Sequence, residues 1–322
     1  MKYTYYPGCS LERNASAYSI SALAVSKPFG IELKELNDWN CCGATEYFAI
    51  NAIPAYALIG RNLALAARQK GNSHQVVAPC SLCYMNLKKT DHYMATSRDL
   101  AEKVNLALEA GGLHYNPGSV LVRHLLEIFV KDIGFDQIAE KVTRPLTGIK
   151  IAPYYGCVAV RPGYGDGFDD PEYPMTLDRL MKSLGAEVVD FPLKSHCCGG
   201  HMTQISEHVA LELIHRLLTD AHDYEADLIV TLCPMCQLNL DAYQDSANKY
   251  FKTEYHIPVL YFTQMIGLAL GLQPTELGIG KEFVDATRAL NKIGLEAPAE
   301  PRAARKKPGK EELPMPRMPE ES

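Results

Sequence analysis

Ten cysteines stand at positions 9, 41, 42, 80, 83 and 157, 197, 198, 233, 236, and they divide into two sets with the same internal order. In each set a lone cysteine, Cys9 or Cys157, precedes a vicinal pair backed by glycine, Cys41-Cys42-Gly43 or Cys197-Cys198-Gly199. A C-x-x-C follows, Cys80 to Cys83 or Cys233 to Cys236. The intervening lengths are alike, 31 and 37 residues in the first half against 39 and 34 in the second. The flanks agree as well. Tyr5-Tyr6-Pro7-Gly8 leads into Cys9 and Tyr154-Tyr155-Gly156 into Cys157, while Gly30-Ile31-Glu32-Leu33 and Gly185-Ala186-Glu187-Val188 precede the vicinal pairs. Self-similarity of this kind marks an internal duplication, so the chain has to fold as two related lobes. We expect lobes over residues 1–145 and 146–275, with 276–322 as a C-terminal extension.

The periodicity around the cysteines is that of strands alternating with helices. Lys2 to Tyr6 and Ile149 to Tyr155 are β-prone runs ending at a glycine, which puts each first cysteine where a strand gives out. Ser16 to Phe29 and Met175 to Leu184 read as helices stopped by Gly30 and Gly185. Short strands at Ile31 to Leu36 and Glu187 to Phe191 lead to the vicinal pairs, and helical patterns follow at Ile53 to Lys70, before Gly71, and at Thr203 to His222. Gln75 to Ala78 and Leu228 to Leu232 read as buried strands, each leading into a C-x-x-C that opens the next helix. The pattern predicts an α/β fold of two similar lobes, each a small parallel sheet with flanking helices. Connectors are expected at His114 to Gly118 and Glu140 to Gly148, the second joining the lobes.

Composition narrows the function. A net charge of -6 over 322 residues offers no basic footprint for nucleic acid. The longest apolar stretch, Ile257 to Leu272, is sixteen residues broken by Thr263 and Gln264. That is short of the roughly 20 a membrane span needs, so it reads as a buried strand and helix and no transmembrane segment is expected. The first ten residues carry no secretory apolar run, which predicts a cytoplasmic protein. In that compartment thiols stay reduced unless metal or chemistry claims them.

Five thiols per lobe fit the common alternatives badly. A structural zinc site takes four ligands and usually two C-x-x-C pairs, so zinc in one lobe leaves a thiol over. Disulfides conflict with an odd count and a reducing compartment. A cubane 4Fe-4S cluster typically uses a tight C-x2-C-x2-C run that is absent. An iron-sulfur cluster with a five-thiolate shell fits better. A helix start beside the C-x-x-C suits it, since the positive end of the helix dipole favours thiolate.

The doubled C, CCG, C-x-x-C pattern resembles the B-type component of heterodisulfide reductase over roughly residues 1–270. The resemblance implies that Cys9, Cys41, Cys42, Cys80 and Cys83 hold one non-cubane 4Fe-4S cluster and Cys157, Cys197, Cys198, Cys233 and Cys236 another. It implies the catalytic member of a complex that reduces a disulfide by two electrons, or forms one in reverse, between the two clusters. The implied substrate is a small disulfide, such as the mixed disulfide of coenzymes M and B or a lipoyl-like group. The implied partners are a small ferredoxin-like iron-sulfur protein and a flavin-bearing protein of the same complex, consistent with the lack of a G-x-G-x-x-G nucleotide fingerprint here. Two other readings stand beside it: a non-catalytic iron-sulfur electron-transfer member of a respiratory or sulfur-oxidising complex, and a zinc-stabilised scaffold.

Secondary candidates surround the second vicinal pair. His196 and His201 bracket it and suit proton donation to a thiolate, although surface or supporting histidines are the plainer reading. Arg161 and Lys194 are candidates to steer an anionic substrate, against the plainer reading of solvated charges. Gly163, Gly165 and Gly167 lack a P-loop lysine and read as a flexible loop edge. Ala297 to Ser322, with six prolines and the basic cluster Arg302 to Lys307, is expected to be disordered.

Overall fold

The computed structural model describes residues 1–44, 47–69, 74–161, 163–164 and 167–295. The tail from Ala297, the stop at Gly71 and Gly165 of the glycine-rich loop lie outside these residues.

The first lobe runs β1 (Lys2–Tyr5), α1 (Ser16–Ser26), β2 (Glu32–Glu35), α2 (Ala52–Arg68), β3 (Gln75–Ala78), α3 (Ser81–Thr96), α4 (Arg98–Glu109) and β4 (Leu121–His124). The second runs β5 (Lys150–Tyr154), α5 (Thr176–Ser183), β6 (Glu187–Val188), α6 (Glu207–Asp223), β7 (Leu228–Thr231), α7 (Pro234–Ala242), α8 (Gln244–Phe251), β8 (Val259–Tyr261) and α9 (Phe262–Ala269). Each lobe holds one four-stranded sheet, ordered β2-β1-β3-β4 and β6-β5-β7-β8, with every pairing parallel. In both sheets the order reverses between the first and third strands. In open α/β sheets this switch point opens a crevice at the carboxyl ends of the strands.

The sequence dictates these elements by familiar means. All four residues of β7 are buried, as a strand covered by helices on both faces requires. Gly30 ends the α1 segment at φ 66°, a left-handed position where glycine carries no Cβ penalty. Asn51 caps α2 by accepting a hydrogen bond from the Ile53 N–H at 3.3 Å. Two expected elements differ. β6 stops at Val188 because the chain turns back on itself there, the Phe191 N–H donating to the Val189 carbonyl. The helix expected from Thr203 is split at Ser206 into a short turn, Met202–Ile205, and α6. The apolar stretch from Ile257 is a buried strand and helix, β8 and α9, as expected.

The lobes pack through α1 and the β8–α9 unit. Tyr18 stacks on Tyr261 with ring centroids 4.2 Å apart and 8° between planes, and Phe262 meets the Tyr18 edge at 6.0 Å. One turn along, Ser21 Oγ lies 2.6 Å from Thr263 Oγ1. Residues 270–295 then fold back across both lobes. Gly278 sits so close to Ala17 that a Cβ there would be 2.9 Å from the Ala17 Cα.

Candidate functional site

All ten cysteines lie at the carboxyl ends of the strands. Cys9 follows β1, Cys41 and Cys42 follow β2, and Cys80 and Cys83 follow β3; in the second lobe the same places follow β5, β6 and β7. Cys80 and Cys233 stand at the N-cap positions of α3 and α7, so each C-x-x-C spans a helix start. The positive end of the helix dipole is therefore aimed at sulfur.

Within a lobe the sulfurs form a row of pairs. Cys41 Sγ is 3.6 Å from Cys9 Sγ and Cys42 Sγ is 3.3 Å from Cys83 Sγ, with Cys80 beside Cys83. Across the pseudo-symmetry Cys157 pairs with Cys197 and Cys198 with Cys236, which in turn touches Cys233. The two rows meet, because the buried Cys80 and Cys233 thiols stand close enough across the lobe boundary for each to perturb the other's protonation. Cys9, Cys41 and Cys197 are exposed, Cys157 is half-buried, and the remaining six are buried. Among the described residues no three His, Cys, Asp or Glu side chains stand arranged around one metal ion. Sulfurs strung in line suit an extended multi-iron group better than a single tetrahedral ion.

Protonation follows the pairing. Hydrogen bonds from Cys42 and Cys9 hold the Cys41 thiol far below its ordinary value, and Cys9 is raised in return, chiefly by that same bond. In the second lobe the bond from Cys157 lowers Cys197 to about 6, with the Gly199 N–H donating to its sulfur at 3.4 Å. The exposed thiol of each vicinal pair is thus the one predisposed to be thiolate, the form that binds metal.

Two cradle features repeat in both lobes. Gly8 and Gly156, each just before the first cysteine, have φ of 74° and 69°. A Cβ at either would stand 2.9 Å from Cys83 Sγ or 2.8 Å from Cys236 Sγ. Only glycine lets the backbone pass this close to the sulfurs, and five thiols around such a cradle fit the donor set of an iron-sulfur cluster. The backbone around each vicinal pair is also held. Tyr6 and Tyr154 each donate a 2.7 Å hydrogen bond to the carbonyl just before the pair, of Asn40 and His196. Buried Asn86 donates to the Cys42 carbonyl at 3.2 Å, and buried Asn239 to the Cys198 and Gly200 carbonyls at 3.1 and 2.8 Å. These asparagines complete a repeated C-x-x-C-x-x-N that sequence reading overlooked although both copies carry it.

Known proteins share both the doubled pattern and the fold. A cysteine-rich domain model, CCG, matches residues 3–88 and again 151–241. The chain belongs to the CCG cysteine-rich domain family. This CCG chain is 33% identical over 89% of its length to the "8-methylmenaquinol:fumarate reductase membrane anchor subunit" of Wolinella succinogenes, covering 98% of that protein. It is 30% identical over 91% of its length to the B-type component of a ferredoxin/F(420)H(2)-dependent CoB-CoM heterodisulfide reductase from Methanosarcina acetivorans, covering 97% of it. A protein of Archaeoglobus profundus, named as similar to the B-type component of heterodisulfide reductase, is also 30% identical, over 86% of the chain and 93% of that protein. A hypothetical protein from Helicobacter pylori shares the fold at TM-score 0.69 and 15% identity, over 88% of this chain and 52% of that one. In the CCG chain no helix among the described residues is long and apolar enough to cross a membrane.

The other candidates fare unevenly. Lys194 is neither a solvated nor a steering charge: it is 1% exposed, its Nζ 3.0 Å from Asp178 Oδ1 and 3.9 Å from the Tyr173 ring centroid. Arg161 turns inward to the Ser195 carbonyl at 2.5 Å. His196 is exposed, whereas His201 joins Met235 in reaching over the first lobe's cysteines. With Tyr47, Ile50 and Leu82 they line a groove of 350 Å³ opening on all five of those thiols.

Proposed function

We propose that this chain is the iron-sulfur member of a reductase complex at which a disulfide is cleaved, or formed, by two electrons. The carrying observation is the meeting of the two five-thiol rows at Cys80 and Cys233. Cys9, Cys41, Cys42, Cys80 and Cys83 would hold one non-cubane 4Fe-4S cluster, and Cys157, Cys197, Cys198, Cys233 and Cys236 the other. When bound, these clusters would supply single-electron redox steps from either side of one substrate. The residues' own part is placement. The glycine cradles admit the cofactor, Asn86 and Asn239 fix the vicinal pairs, and the groove beneath His201 admits a small disulfide and places an imidazole where a departing thiolate can take a proton. Partner proteins carrying a flavin and ferredoxin-like clusters would deliver the electrons, and a cytoplasmic location suits this assembly.

The relative named for menaquinol and fumarate favours a second reading, in which the same clusters pass electrons from a quinol to a dehydrogenase partner.

The test is metal and sulfide analysis of protein purified without oxygen, followed by disulfide turnover. About eight irons per chain are expected, and Cys198→Ser should keep roughly half of them while losing far more than half of the two-electron turnover. Zinc in both lobes refutes the proposal. Full iron with quinol oxidation but no disulfide turnover in the assembled complex selects the second reading.

A further inference from the structure

The lobe boundary holds a buried polar knot. Tyr18, Ser81 and His124 are each 0% exposed there; Tyr18 and His124 bear on two backbone carbonyls, those of Pro79 and Leu232, and Ser81 on that of Leu232. The Tyr18 hydroxyl is shared between the Pro79 oxygen at 3.1 Å and the Leu232 oxygen at 3.3 Å. Ser81 Oγ donates to the Leu232 oxygen at 3.4 Å. His124 Nδ1 accepts from the Leu126 N–H at 3.1 Å, so the ring hydrogen sits on Nε2, the nitrogen facing Ser81 Oγ and the two carbonyls. Pro79 and Leu232 are the residues immediately before Cys80 and Cys233. Any movement of these carbonyls therefore moves the two sulfurs that meet across the boundary.

The knot is not part of the duplication. At the strand end where β4 has His124, β8 has Tyr261, and where the first C-x-x-C has Ser81 the second has Pro234. All three donors come from the first lobe, reaching over to the second.

We propose that Tyr18 and His124 are positioning residues that fix the separation of the two thiol rows, and so make two half-sites act as one. This rests on the reading that both rows hold clusters. Uncompensated buried carbonyls are unfavourable, so losing a donor lets the junction relax. Reactions that depend on placement lose about a hundredfold for a displacement near 1 Å.

Tyr18→Phe removes only a donor, since Phe preserves the stack on Tyr261 at 4.2 Å; His124→Phe removes its donor and also the acceptor of the Leu126 N–H, while keeping a ring against Phe168 at 5.6 Å. Ser21→Ala, which removes the lobe-to-lobe hydrogen bond to Thr263 and a 3.1 Å bond to the Tyr18 carbonyl but none to the Pro79 or Leu232 carbonyls, is the control. In the full chain purified without oxygen, iron content should be unchanged in all three. Electron paramagnetic resonance should show weaker magnetic coupling between the two reduced sites in both Phe variants, and disulfide turnover should fall about tenfold or more. Peptides 79–84 and 232–237 should exchange amide hydrogen faster in both, iron or no iron, while Ser21→Ala matches the parent throughout. Unchanged coupling and exchange in the Phe variants, or the same losses in Ser21→Ala, overturns the proposal. If the parent chain binds no iron the functional reading fails on its own, and hydrogen exchange alone decides on the knot.

Discussion

Replacing Gly8 with alanine probes the cofactor cradle at its narrowest point. Gly8 lies at φ 74°, ψ 161°, a region almost confined to glycine, where a side chain costs about 1–3 kcal/mol. Its new Cβ would stand 2.9 Å from Cys83 Sγ. Favourable contact begins near 3.5 Å, so one of the two must yield by roughly 0.6 Å. Cys83 has little room to yield, being buried in the first turn of α3 with Cys42 Sγ at 3.3 Å. The strain is small beside a typical stability of about 5–15 kcal/mol, so the lobe should stay folded. The thiol row it distorts should not stay competent. Gly8→Ala purified without oxygen should therefore melt cooperatively but carry about half the parent's iron and sulfide. Gly156→Ala, with its Cβ 2.8 Å from Cys236 Sγ, should lose the other half. Gly200→Ala separates strain from collision, because φ is 51° there but nothing lies within 4 Å of the added Cβ, and it should keep its iron. A folded Gly8→Ala chain with full iron would refute the idea that the cradle is shaped for a cofactor.

Asn239→Ala leaves the Cys198 and Gly200 carbonyls without their donor, at about 1–3 kcal/mol, and should speed loss of half the iron to a chelator. Asn86→Ala, which removes a single 3.2 Å bond, should act more weakly in the same assay. Lys194→Met strips the buried Asp178 of its cation and should lower stability by about 3–5 kcal/mol in urea unfolding, with partial recovery when Asp178→Leu is added. Burial pushes the Asp132 carboxyl up, but hydrogen bonds from Arg123 and Tyr3 outweigh it and hold the group below its ordinary value. Its contribution is present above the unfolded value of about 4 and is lost as pH falls through the folded one, so Asp132→Asn should flatten stability against pH on the acid side of about pH 4.

The duplication was legible because cysteine is rare and its spacing survives in both halves. β1 and β5 were legible because their β-prone runs end at Gly8 and Gly156, which the close backbone approach to sulfur requires, and β3 and β7 because apolar runs lead straight into a C-x-x-C. β4 was hidden. Leu121 to His124 runs without a glycine or proline into Leu125 and Leu126, so the apolar pattern reads as one helical stretch. Its buried Arg123 argues against a strand until Asp132 and Glu127 are seen to neutralise it at 2.7 and 3.3 Å. Lys194 was misjudged for the same reason, since the carboxylate that permits its burial lies 16 residues away on α5.

Asn86 and Asn239 were there to be read, as the third term of C-x-x-C-x-x-N. The knot was not. A duplication repeats what each lobe needs for itself, namely strand, turn, thiol and helix start, and a self-comparison finds those. The fit of one lobe to the other is made once, on a boundary where equivalent positions of the two copies carry different side chains. Tyr18 and Ser81 are 63 residues apart, Ser81 and His124 another 43, and no periodicity links them. The residues that differ between the copies at equivalent places are where the interface should be sought in a duplicated chain. His124 against Tyr261 and Ser81 against Pro234 are such differences, and both lie beside the contact between Cys80 and Cys233.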